Sequence, residues 1–399
     1  MPIINHSCIP YLNTINLVPV QLVSTSCLKE LDLFADRNYW VVEFFDRSTI
    51  VTLDNYVPNY IINAVKNGEI TLLLSNTNEG FYDIVEPIYN KVIIDWAIPE
   101  KNVVIVSEAA DINIKVNEVA AELGYKPIES WWSRMFEWQA QNQQFFNRGD
   151  PYVNDPTLEI KNYNKKFICF NRNLRPHRTA ILALLKSKNL LDAGYVSVGP
   201  DYDWQHAWAD LCTKKPINDK LIRYLMEYHA DQFDITPQTL DVEPTIQWYV
   251  YGLIGNKFGR QMYRDTYFSV VTETNCLTER TYNRTSRILS EKTFKPMVNG
   301  HPFILVSVPH MLKLLRDNGY QTFDGIIDES YDSELDDSTR LLMIADEIAR
   351  LSALKDDELS LFLTQARKIC NHNREHLNSL KNSTSFMTKF VARQPQNSV

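Results

Sequence analysis

Short runs rich in β-branched and aromatic residues alternate with stretches of helical period along most of this chain, and that alternation restricts the fold more than any other feature. In the first third, YWVVEFF, ITLLLSN, KVIID and NVVIVS read as buried strands at 40–45, 70–76, 91–95 and 102–107. NYIINAVKNG and VNEVAAELG read as helices stopped by Gly68 and Gly124, because glycine enters the left-handed conformation that ends a helix without a steric penalty. Strands separated by helices pair in parallel and are covered on both faces, so an α/β domain is predicted here.

The pattern then breaks and restarts. SWWSRMFEWQAQNQQFF reads as a Trp-rich helix, and the polar stretch after it carries Asp150-Pro151 and Asp155-Pro156 without apolar periodicity, the composition of an interdomain linker. Beyond it KFICFN is a predicted strand, PHRTAILALLKSK a helix with Pro176 in its first turn, and GYVSVG, TYFSVVTE and HPFILVS further strands, with the helix EKTFKPMVNG between the last two. Two charged amphipathic helices close the chain over roughly 338–388. A chain of 399 residues exceeds the roughly 250–300 residues that one core organises. The predicted layout is an N-terminal α/β domain over 1–150, a linker over 151–165, a second α/β domain over 166–340 and C-terminal helices over 341–399.

Composition excludes some classes. A hydrophobic fraction of 44% with 23% charged residues is that of a globular chain with a substantial core. The net charge of -8 gives no global attraction to polyanions, so nucleic-acid binding would need a local basic strip. The six cysteines are dispersed without a C-x-x-C pair, and no run approaches the ~18 apolar residues of a membrane span. A cytoplasmic protein without a membrane partner is expected.

Two constellations carry chemistry. FICFNRNLRPHRTAILALL opens a strand into Arg172, Arg175 and Arg178 around a helix start, where unpaired N–H groups and guanidinium forks suit phosphate oxygens; an exposed basic turn is the competing reading. In YFSVVTETN and LSEKTFKPMVNGHPFILVS, a strand ends at Glu273, a loop with Arg280, Arg284 and Arg287 follows, and a helix opens at Ser290-Glu291-Lys292. Carboxylates accept from ribose hydroxyls and basic side chains neutralise a diphosphate, while Ser290 as cap and Glu291 as dipole partner account for the same residues structurally.

The order of these segments over roughly 165–325 resembles the donor-binding half of GT-B-type glycosyltransferases, in particular fucosyltransferase-like and exostosin-like enzymes and related enzymes of large phages. The resemblance implies two Rossmann-like domains facing a cleft, with the C-terminal helices packing across the junction. It also implies a UDP- or GDP-sugar donor, with no cofactor or metal required. By resemblance Glu291 holds the donor ribose, Lys292 and an arginine among Arg172, Arg175 and Arg178 the diphosphate, and Glu273 the sugar or a neighbouring hydroxyl, with Asn275 and Ser290 beside them. The inserted ERTYNRTSR loop departs from the fucosyltransferase pattern and leaves the donor sugar open.

An inverting transfer needs one carboxylate to deprotonate the acceptor hydroxyl. Glu79, just past the strand in LLLSNTNEGFYD, is the first candidate, with Asp83 and Glu108 as alternatives. Resemblance to phage enzymes suggests double-stranded DNA carrying 5-hydroxymethylcytosine as acceptor, in the host cytoplasm if phage-encoded; a glycan, a small molecule or a catalytically inactive scaffold are the alternatives. Asp201-Tyr202-Asp203 matches the D-x-D of metal-dependent transferases but reads better as a surface loop, and His372 and His376, one turn apart, as a solvated helix face.

Overall fold

The computed structural model describes residues 39–43, 50–76, 84–134, 136, 137, 140, 163–171, 174–198, 203–213, 217–233, 262–277 and 286–381. The chain is α/β with two parallel sheets, as the alternation predicts. It divides into two compact units, one made of Met1–Trp138, Arg280–Ile288 and Lys381–Val399, the other of Gln139–Glu279 and Leu289–Leu380.

In the first unit β1 (Tyr39–Glu43), β2 (Thr71–Asn76), β3 (Val103–Ser107) and β4 (Glu129–Trp132) lie in sequential order, every pair parallel. Helix α1 (Asn59–Lys66) joins β1 to β2 with Ile61, Ile62 and Val65 buried, and α2 (Ile112–Leu123) joins β3 to β4. Gly124 ends α2 in the left-handed region at φ 75°, the conformation for which glycine was expected there.

Two predicted elements differ. KVIID is not a strand: Tyr89–Asp95 continues the helical turn Val85–Ile88 as a π-helix. Val85, Ile88, Tyr89, Val92, Ile93 and Trp96 are all buried, a helical spacing that a window confined to 91–95 conceals. The start of the Trp-rich segment is likewise β4, because Glu129–Trp132 pairs with Val104–Ser107 and completes the sheet, a tertiary demand that overrides local propensity.

The second unit contains β5 (Phe167–Phe170), β6 (Gly194–Ser197), β7 (Phe268–Thr272) and β8 (Phe303–Val306) in the order β6-β5-β7-β8, again all parallel. Helix α3 (Pro176–Ser187) follows β5 with Pro176 at its first turn, where the missing N–H has no helical partner to lose. Helices α4 (Trp204–Thr213) and α5 (Asp219–Glu227) follow β6, α6 (Glu291–Val298) precedes β8, and α7 (Met311–Asp317) follows it. The chain ends in α8 (Asp337–Ser352) and α9 (Asp356–Lys381). Both fall in the second unit, and Leu341, Ile344, Ala345 and Ile348 of α8 are buried where it packs on α3 and β8. The chain from 341 to 380 thus belongs to the second unit, and the first unit regains Arg280–Ile288 from the β7–α6 connection.

Gly194 opens β6 directly opposite Phe167. A Cβ there would stand 2.4 Å from the Phe167 ring, which is fully buried. Gly194→Ala is therefore expected to destabilise the second unit by about 1–3 kcal/mol, seen as a lower urea midpoint; an unchanged midpoint would show that the ring yields.

Candidate functional site at the β5–β7 crevice

From β5 the chain crosses to β6 on one side, and β7 and β8 lie on the other. The connections therefore diverge between β5 and β7, and the place outside the carboxyl ends of these strands, here called the β5–β7 crevice, is the usual ligand position in open α/β sheets. The start of α3 and the segment after β7 meet there, with the start of α6 beside them.

Arg175 caps α3 in an extended conformation and donates from Nη1 to the carbonyl of Thr274 at 2.8 Å. His177 Nε2 is 2.9 Å from the carbonyl of Glu273, and Arg178 Nη2 lies 3.2 Å from the carbonyls of both Thr272 and Glu273. A carbonyl only accepts, so His177 carries its proton on Nε2. Burial, with the charges of Arg178 and Arg175, holds the His177 imidazole well below its usual range. Burial and Arg175 also lower Arg178 to about 10, while Glu273 and Glu291 counteract them, so the guanidinium stays charged at neutral pH.

Ser290 caps α6, its Oγ accepting from the Lys292 amide at 3.3 Å. Glu273 is fully buried; Ser290 N (3.0 Å) and Thr293 Oγ1 (2.5 Å) donate to its Oε1, Ser290 Oγ (2.6 Å) and Thr274 N (3.1 Å) to its Oε2. Glu291 and Lys292 form an ion pair at 2.8 Å with 23% and 27% of their side chains still exposed, reachable from solvent. Burial pushes the Glu291 carboxyl up, but Lys292, Lys295 and hydrogen bonds hold it down at about 2. Asn275 is buried, its carbonyl accepting from Ser307 Oγ at 3.1 Å.

Arg175, Arg178, Glu273, Ser290, Glu291 and Lys292 thus come together around one crevice, with Asn275 adjoining it. Arg172 and Glu79 lie outside the described residues, as do Asp83, Asp201, Arg280 and Arg284. Arg287 belongs elsewhere, its Nε 3.0 Å from Asp111 at the start of α2 in the first unit. Glu108, also in that unit, is buried just past β3 and accepts from Ser133 Oγ. His372 and His376, both partly exposed, are 3.1 and 2.8 Å from the carbonyls of Gly319 and Asn318 at the end of α7. Among the described residues no group of three or more His, Cys, Asp or Glu is placed to hold a metal ion, and no helix is long and apolar enough to cross a membrane.

No protein-family model matches the chain, and no curated protein matches its sequence. Among solved structures it is similar to the N-terminal domain of Candida albicans trehalose-6-phosphate phosphatase, with 9% identity and a TM-score of 0.39, over 91% of this chain and 71% of that one.

Three residues join the site without a sequence expectation. His177 sits between Arg175 and Arg178, and Thr293 follows Ser290 by one helical turn, so the spacing places both beside expected site residues. Arg340 of α8 was not: nothing in DSTRLLMIADEIARL sets it apart, yet it is 1% exposed and donates to the carbonyls of Cys276 and Ser307 just beyond β7 and β8.

Buried neutral imidazoles make stability depend on acidity. His301, at the entry to β8, is lowered by burial from 6.5 to about 4, and His177 is lowered in the same sense. Below pH 6.5 the unfolded chain binds protons that the native imidazoles refuse, so stability falls with falling pH until the folded-state pKa is reached. Between pH 6.5 and 4.5 His301 alone is expected to remove about 2–3 kcal/mol. That window lies above the ordinary glutamate value of 4.5, below which the contribution of Glu291, held at about 2 in the folded chain, is lost. Urea midpoints across the range check it, and His301→Gln should flatten the slope.

Proposed function

We propose that this protein is a glycosyltransferase that binds a UDP- or GDP-sugar at the β5–β7 crevice and transfers the sugar to an acceptor hydroxyl, with inversion and without an obligatory metal. The observation that carries the reading is charge at the switch point. Arg175, Arg178, Lys292 and Lys295 face Glu273 and Glu291 there, four cationic groups against two carboxylates, in a chain whose net charge is -8. A local positive excess at the carboxyl edge of a parallel sheet suits a diphosphate, and Glu291 offers an acceptor for sugar or ribose hydroxyls. The resemblance of 165–325 to GT-B-type transferases supports the same reading and extends it to a two-domain arrangement.

In this mechanism Arg175 and Lys292 neutralise the charge that develops on the leaving diphosphate, and a carboxylate takes the acceptor proton. Glu79 is the proposed base. Glu79→Gln is expected to reduce transfer about a hundredfold or more, since general-base catalysis contributes ~10²–10⁴, with nucleotide affinity unchanged; full activity would remove Glu79 from that role.

The decisive test is a panel of nucleotide-sugars with melting temperature as readout. Saturation at ~100 times the dissociation constant adds about 2.7 kcal/mol of stability; no shift with any UDP- or GDP-sugar would remove the proposal. The proposed acceptor is 5-hydroxymethylcytosine in duplex DNA. Incubation with the donor, digestion and mass spectrometry should yield a glycosylated nucleoside from that DNA and none from unmodified DNA. Its absence with a donor that binds would redirect the search to glycans and small molecules.

A further inference from the structure

The sequence resemblance assigns Glu273 to the sugar, but the surroundings of its carboxylate point elsewhere. An ionised carboxylate has about four lone-pair sites, and four donors of the chain occupy it: Ser290 N, Ser290 Oγ, Thr293 Oγ1 and Thr274 N. Three of these belong to the cap and first turn of α6. Having donated its proton to Glu273, Ser290 Oγ accepts from Lys292, from the amide and from Nζ, both at 3.3 Å. A hydrogen-bond chain therefore runs from Glu273 through Ser290 to Lys292. The Glu273 carbonyl is meanwhile held by His177 and Arg178 of α3.

We infer that Glu273 is a positioning residue: it ties the first turn of α6 to the start of α3 and so sets where Glu291 and Lys292 stand, without touching the ligand. The ligand-binding part of this inference rests on the nucleotide-sugar reading above. Each carboxylate oxygen accepts one backbone N–H, Oε1 that of Ser290 and Oε2 that of Thr274. In Glu273→Gln either amide orientation turns an NH₂ group toward a backbone N–H, that of Thr274 or that of Ser290, so one of the two buried amides loses its acceptor. Thr293→Val removes one donor to the carboxylate and leaves Glu273, Glu291 and Lys292 in place.

The full-length chain and both variants are compared by amide hydrogen exchange without ligand and by calorimetric titration with uridine and guanosine diphosphate. In both variants exchange at Thr274 and at Ser290–Thr293 is expected to accelerate about tenfold, with β2 and β3 unchanged, because local opening is set by local contacts. Nucleotide affinity is expected to fall about tenfold in Glu273→Gln and about threefold in Thr293→Val, the lost pre-organisation appearing as weaker binding. A direct ligand contact gives another pattern, with Glu273→Gln weakening binding at unchanged exchange and Thr293→Val silent; that result overturns the inference. Faster exchange with unaltered affinity also overturns it. Should the wild-type chain bind neither nucleotide, the nucleotide-sugar proposal falls, and exchange alone decides whether Glu273 sets the turn: local acceleration upholds it and none rejects it. If Glu273→Gln does not fold, Thr293→Val carries both measurements.

Discussion

Replacing Arg340 by alanine is expected to lower the stability of the second unit by about 3–5 kcal/mol, the range for removing one partner of a buried charged pair. Its guanidinium donates from Nε to the Ser307 carbonyl at 3.1 Å, from Nη1 to Glu334 at 2.8 Å and from Nη2 to Cys276 at 2.6 Å, and it also pairs with Asp337. Alanine would remove the ion pair of the Asp337 carboxylate, itself buried, and leave three carbonyls without this donor. Arg340→Lys should recover only part of the loss, since a single ammonium cannot reproduce a planar fork aimed at several acceptors. Urea unfolding monitored by circular dichroism measures the effect, and a change below about 0.5 kcal/mol, the range of an ordinary surface substitution, would contradict it. Because Cys276 and Ser307 lie just past β7 and β8, the variant should also bind nucleotide more weakly at temperatures where it remains folded.

The second large effect is on affinity. Lys292→Ala is expected to weaken uridine or guanosine diphosphate binding by about 10–100-fold, from the ~1.5–3 kcal/mol of a hydrogen bond to a charged group. Stability should change little, because the ammonium is partly exposed and its pairing with Glu291 is screened by solvent. The same substitution removes a principal influence holding Glu291 at about 2, so the Glu291 carboxyl should titrate closer to an ordinary glutamate. Calorimetric titration and an NMR pH titration of that carboxyl test the two halves separately. Unchanged affinity would place the diphosphate elsewhere; an unchanged Glu291 would mean that Lys295 and the backbone suffice to hold it.

The sequence by itself determined the α/β class, most of the strands, the helix ends at Gly68 and Gly124 and the residue types gathered at the crevice. These follow from period and local chemistry: buried strands read as short β-branched runs, a glycine that must turn left-handed is a local requirement, and Ser290 caps α6 through atoms two residues away. Only the tertiary structure decided what depended on distant partners. KVIID became part of a π-helix because residues from Val85 to Trp96 share one buried face, and Glu129–Trp132 became a strand because β3 had an open edge. The order β6-β5-β7-β8, and with it the switch point, is a choice among strand pairings that no local pattern encodes. Glu273 and Ser290 are 17 positions apart, and Arg178 and Glu273 95 apart. Spacing along the chain showed which side chains were suited to an anion; whether a carboxylate would meet a ligand or be filled by its own chain depended on the donors that folding brought around it.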